Sequence, residues 1–454
     1  MKNSKDNSNN SQNPQKNQNP QKKQNPQNPQ KNQNPQKNQK LQKTPNPQKK
    51  QKLQKTSKLP KNQKLPKNQE HPKNQNSKKP QKPIGMYIGN GLLLLTGAVC
   101  GVFITKLFDK MSLMKMDVGE KLFVAAIMLI FVYVAMYLQI AIHEGGHLVA
   151  GLLSGYQFSS YRIGSFMWMK QDGKIRFKRF SLAGTGGQCL MAPPELADGR
   201  IPVKFYNFGG VIANIFSSII GIILYLCFRD AGLYVNVLLI FVIVGIGFAM
   251  VNGIPLKMGD INNDGYNAIS IEKDKDSMRS FWIQMKMNEE QSRGLRLKDM
   301  PDEWFRFPED EAMNNSMVAI EGVLVCNRHM DLHQFEKANE MMKHILEIDS
   351  GIIDIHKLLL ECDRIYCELL ENHLEEAEIL YTDELKKFMK RMRTFPSVIR
   401  TNYAYELVVH KNQENVEKWK LEFEKCAKKY PYTGDIESER ELMDIISDTR
   451  QVKA

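Results

Sequence analysis

Four apolar runs constrain this chain more than any other feature. The first, Met86–Phe108, has Asn90 and Lys106 as its only strongly polar residues. The second starts at Leu122 and continues through LFVAAIMLIFVYVAMYLQIAI into HEGGHLVAGLLSGY. The third covers 205–228, and the fourth runs from about Gly232 to Leu256, ending FAMVNGIPL. A helix needs ~20 apolar residues to cross a hydrocarbon core. The runs therefore predict four spanning helices and exclude a simple soluble globular protein.

Charge divides the chain into three regions. Residues 1–83 hold 21 Lys against Asp6 and Glu70, whereas the whole chain carries only +13. This segment repeats Asn, Gln, Pro and Lys and has too little apolar surface to form a core, so it is expected to be a disordered tail. Its two readings are a solvated spacer and a polybasic arm against anionic lipid. The basic isoelectric point belongs to the tail, so no nucleic-acid partner is expected from it. Residues 84–270 are expected to form the membrane domain. Residues 271–454, which are net acidic, are expected to form a cytoplasmic helical domain. Seven scattered Cys with no C-x-x-C pair read as buried thiols and not as a disulfide framework.

Eight basic residues lie between the second and third runs, from Arg162 to Lys204. The positive-inside rule puts that loop in the cytoplasm of a cell-membrane protein, and four spans then put both termini there. Within the loop, Gln171-Asp172-Gly173 between aromatic and basic runs predicts a β-hairpin. GTGGQCLMAPPE after it reads as irregular backbone.

His143-Glu144-Gly145-Gly146-His147 on the second run is an H-E-x-x-H pattern. At i and i+4 both imidazoles share one helix face and can bind one zinc ion, while Glu144 can serve as general base. Ionisable residues inside a membrane helix are functional candidates by default. His329 and His333 repeat the spacing without the Glu and read as surface histidines. Two-His zinc needs a third protein ligand, and the fourth run leads into Asp260 and Asp264. Asp264 is preferred, because Gly265 after it permits a tight turn at positive φ.

The chain here resembles the site-2 protease family of intramembrane zinc metalloproteases. The resemblance rests on His143, Glu144 and His147; on Gly209, Gly210 and Asn214 in the next run; and on Asn252, Pro255, Asp264 and Gly265. It covers roughly residues 120–268. It implies a three-helix core, zinc bound by His143, His147 and an Asp, and Glu144 as base. In the family the Asp-Gly follows the Pro by about five residues. Asp260 has that spacing here, and Asp264 has the glycine.

The C-terminal region shows helical periodicity in FEKANEMMKHILEID, IHKLLLECDRIYCELL and HLEEAEILYTDELKKFMKRM, with a faint tetratricopeptide character. It is expected to be a plain bundle or a concave surface that presents substrate or a regulator. The expected fold is thus an all-α polytopic membrane protein with a short hairpin and a soluble helical domain. The expected activity is zinc-dependent cleavage of a membrane-embedded or membrane-adjacent protein segment. The rival reading is a non-proteolytic accessory or scaffold of the same fold, for example beside an exporter.

Overall fold

The computed structural model describes residues 84–110, 117–171, 173–181, 185–258 and 261–453. The tail of residues 1–83 and Asp260 lie outside the described residues. The chain is mostly helical, and three of its helices are long and apolar enough to cross a membrane. They are α1 (Ile84–Lys110), α2 (Val118–Leu153) and α3 (Val203–Phe228). Large apolar side chains such as Leu94, Phe123, Ile130, Phe216 and Leu226 are exposed along them. α2 begins with a capping box, in which Asp117 accepts from the Glu120 amide at 2.8 Å and Glu120 accepts from the Asp117 amide at 3.3 Å.

The expected fourth span is a shorter helix, α4 (Val237–Gly253), of 17 residues. The run loses its first turn because Gly232 sits at φ 138° and residues 233–236 wind as a 3-10 turn.

Between α2 and α3 lies an antiparallel sheet of β1 (Gln157–Ile163), β2 (Phe166–Gln171), β3 (Lys174–Arg179) and β4 (Gly187–Ala192), in the order β3-β2-β1-β4. The expected hairpin is β2–β3, with Gln171 opposite Lys174. The stretch expected to be irregular instead forms β4, whose Cys189 pairs with Tyr161 of β1. Glycine in Gly187-Gln188-Cys189 allows close approach to a helix and does not break the strand here. The sheet folds back beside α2: the Tyr161 hydroxyl donates to the Ala141 carbonyl at 2.6 Å, and Gly164 sits against Tyr137.

β5 (Lys257–Met258) and β6 (Ile261–Asn262) form a short ribbon, followed by α5 (Asp264–Lys273) and α6 (Lys275–Ser292). Ile271, Met278 and Ile283 pack with Tyr156, Met191 and Tyr206, so one apolar core joins the sheet, α3 and α6. Beyond it come α7 (Ser316–Asp331), α8 (Phe335–Glu347), α9 (Asp354–Glu371), α10 (Leu374–Leu380), α11 (Asp383–Arg391), α12 (Pro396–Tyr405), α13 (Gln413–Ala427) and α14 (Thr433–Lys453). The pairs α7–α8, α9–α10 and α12–α13 are helix hairpins around a second core that includes Met342, Leu360, Ile365 and Ile399. Five of the seven cysteines are buried, and all seven are free thiols.

Charge is buried in this second core. Arg400, 1% exposed, pairs with Asp363 and Glu439 and lies over the Tyr366 ring. Nearby, the Asp435 carboxyl is pushed up to about 7, by burial first and also by Glu439 and Asp331, against the hydrogen bond from Gln291. Between its ordinary value of 3.8 and about 7, the folded chain keeps a proton there that the unfolded chain has released. Rising pH in that window therefore removes stability. The melting temperature of Asp435→Asn should exceed that of wild type at pH 8 and match it near pH 4. Equal melting temperatures at pH 8 would refute the assignment.

Candidate metal centre

The polar residues of α2 meet those of α3 because the two backbones touch. A Cβ on Gly146 would collide with the Gly209 carbonyl, and one on Gly209 with the Gly146 carbonyl. Small residues allow such approach between apolar helices. Gly210 gives the same clearance to the His143 ring, whereas a methyl on Gly145 would meet nothing.

This approach closes a chain of hydrogen bonds. The Gln139 amide donates to the Phe241 carbonyl of α4 at 3.2 Å. Asn214 of α3 donates its amide to Gln139 Oε1 at 2.8 Å and to the Gln139 carbonyl at 3.0 Å. Asn214 Oδ1 is therefore the acceptor that faces His143 Nδ1, at 2.7 Å. His147 Nδ1 lies 2.9 Å from the Tyr206 carbonyl. A carbonyl only accepts, so both imidazoles carry a hydrogen on Nδ1 and turn Nε2 inward.

The third member comes from the start of α5. Pro255 has no amide hydrogen to give the Val251 carbonyl four residues earlier. The Asn263 side chain replaces it, donating to Val251 at 2.7 Å and to Ile254 at 2.5 Å. Asn263 Oδ1 also accepts from the Leu256 and Tyr266 amides, at 3.0 Å each, and so caps α5. With Asn263 as cap, Asp264 is free to point at the histidines. Gly265 is helical and not at positive φ; its role is space, since a Cβ there would collide with the Gly253 carbonyl. The expected tight turn is thus replaced by a close packing of α5 on α4.

Asp264 Oδ2 lies 2.9 Å from His143 Nε2 and 3.5 Å from His147 Nε2, and the two Nε2 atoms are 3.1 Å apart. Three atoms bound at about 2.0–2.1 Å to one tetrahedral ion would stand roughly 3.3 Å apart. Three potential ligand atoms, His143 Nε2, His147 Nε2 and Asp264 Oδ2, converge here. A proton bridges two of them, while a divalent cation satisfies all three. The donor set, two imidazole nitrogens and one carboxylate oxygen, fits zinc.

Glu144 sits beside this triangle. Its side chain lies against the backbone of Gly187 on β4, and His143, His147, Asp264 and Arg162 act on it electrostatically. Among the described residues, no hydrogen bond or ion pair engages its carboxylate. Arg162 of β1, 1% exposed, donates to the carbonyls of Gly164 at 2.8 Å and Gly187 at 3.4 Å, and to Thr185 Oγ1 at 2.5 Å. The Cys189 thiol is pushed up to about 12 by burial and by the charge on Glu144, which removes it as a nucleophile.

His329 and His333 do not share a helix face: α7 ends at Asp331, and His333 has φ 58°. His329 Nδ1 bonds to Gln334 at 2.8 Å, and no metal-type cluster includes either histidine among the described residues. Gln139, Asn263 and Arg162 were not read from the sequence as part of the site. Gln139 carried a signal, as a lone amide in an apolar run one turn before His143.

The chain matches no family model, no curated protein and no solved structure.

The packing separates the neighbouring glycines. Gly146→Val should destabilise the protein by about 1–3 kcal/mol or more through overpacking, while Gly145→Ala should leave it unchanged or slightly stabilised. Thermal melts of the purified proteins in one detergent check this. Equal loss from both would contradict the α2–α3 contact.

Proposed function

We propose that this chain is an intramembrane zinc metalloendopeptidase, with His143, His147 and Asp264 as the protein ligands and Glu144 as the general base. The observation that carries the reading is the convergence of His143 Nε2, His147 Nε2 and Asp264 Oδ2, at 2.9, 3.1 and 3.5 Å from one another, beside helices apolar enough to cross a membrane. Three protein ligands leave a fourth position open, as catalytic zinc requires. Zinc held there supplies a Lewis acid that polarises a carbonyl and makes water acidic at neutral pH.

The chain's own residues supply the rest. Asn214 and the Tyr206 carbonyl fix the tautomer and ring orientation of the two histidines. Glu144 takes the proton of the attacking water on its carboxylate and returns it to the departing amide nitrogen. Three helices long and apolar enough to cross a membrane support a setting within or beside a bilayer, and the substrate proposed from that setting is a membrane-embedded or membrane-adjacent protein segment. The basic loop favours a cell-membrane protein with that loop in the cytoplasm.

Purified protein should hold about one zinc per chain. His147→Ala and Asp264→Ala should lose it nearly completely, and Asn214→Leu should bind it about 10–100-fold more weakly. Glu144→Gln should keep zinc and stop cleavage. Metal analysis of these variants, with membrane-fragment proteomics of wild type against Glu144→Gln, checks the set. Full zinc in Asp264→Ala would remove the proposed third ligand. Identical fragment patterns would favour a non-proteolytic accessory.

A further inference from the structure

The last helix, α14, has no hairpin partner and crosses the first helix of each hairpin in turn. Ser438 donates to Asp331 at the end of α7 at 2.6 Å, Tyr366 of α9 donates to the Leu442 carbonyl at 2.8 Å, and Arg400 of α12 donates to Glu439 at 2.9 Å. It therefore occupies the face on which stacked helix pairs offer a binding surface.

Two features distinguish this seat from an ordinary core. The first is its polarity. α14 turns Asp435, Glu439 and Glu441 toward Gln291, Arg400 and Arg296, alongside the buried Leu442 and Ile446. Buried charge pairs give little stability over apolar packing of the same volume. The second is that the seam is not filled. A cavity of about 240 Å³ lies between the first half of α14 and helices α7, α9 and α12, bordered by Asn327, His356, Ser397 and Ser438.

We propose that this face is a docking groove for an acidic amphipathic helix of a partner protein, and that α14 is an internal occupant which the partner replaces. The chemistry of the partner is read from α14 itself: carboxylates such as those of Glu439 and Glu441 beside an apolar stripe. Arg400 recognises the first and Arg296 the second.

The loop before α14 ties this groove to the sheet. The Pro431 carbonyl accepts from Lys178 at 2.9 Å and from Gln171 at 3.4 Å, and Tyr430 meets Phe180 edge-on at 5.7 Å. Replacing α14 withdraws these contacts from the β2–β3 hairpin, whose neighbour β1 carries Arg162. An effect on cleavage rests on the proposed protease function. The docking itself does not.

The test uses full-length protein in detergent and a fluorescent peptide of residues 433–453. Wild type should bind it weakly, because the groove is filled. Leu442→Ala, which loosens the internal helix, should bind it at least roughly tenfold more tightly. A peptide carrying Asp435→Lys, Glu439→Lys and Glu441→Lys should bind neither protein. In wild type, hydrogen exchange of α14 should run at least roughly tenfold faster than that of α9 and α12. Added acidic peptide should raise exchange in residues 174–180. The proposal is overturned if α14 exchanges as one unit with α9 and α12. It is also overturned if the acidic peptide fails to bind Leu442→Ala or the lysine peptide binds equally. If Leu442→Ala does not fold, the wild-type exchange pattern decides alone. None of these readouts needs zinc or cleavage, so they stand or fall apart from the protease reading.

Discussion

An apolar helix bundle tolerates a polar side chain only if its hydrogen-bonding groups find partners, and this rule organises the centre of the molecule. Gln139, Asn214 and His143 form one hydrogen-bonded line from the Phe241 carbonyl inward. The line ends on an Nε2 atom, and so does the shorter link from Tyr206 to His147. Everything else follows from the need to bring those two ends and Asp264 together. Gly146 and Gly209 set how closely α2 and α3 approach, Gly210 leaves room for a ring, and Asn263 repairs the break that Pro255 makes.

The parts of this arrangement that depend on helical period were legible in the sequence. His143 and His147 share a face because they are four apart, and Glu144 follows from adjacency. The long apolar runs foretold α1, α2 and α3, and amphipathic spacing foretold the helical C-terminal region. What period cannot express was less legible. Asp264 was preferred for a turn at Gly265 that does not form; its position beside the histidines goes with a cap at Asn263 and a backbone contact with Gly253, which are tertiary facts.

The sheet shows the same limit from another side. β1 buries Ser159, Ser160 and Arg162, so its inward face is polar and lacks the apolar alternation that announces a strand. β4 opens with a glycine that reads as a loop until the Glu144 side chain is seen against it. In the fourth apolar run, composition promised a full span, and the α-helix is shorter because residues 233–236 wind as a 3-10 turn and the helix stops at Gly253, ahead of Pro255.

The distance along the chain between the partners of the centre sets an order of events during synthesis. His143 and Asp264 are 121 residues apart. At about 5–20 residues per second, the ribosome needs roughly 6–24 s to travel that far. For that interval the two histidines and Glu144 exist without the carboxylate that completes them. The three side chains cannot meet until α3 and α4 have been made, so the cluster comes into being only after the helices that enclose it.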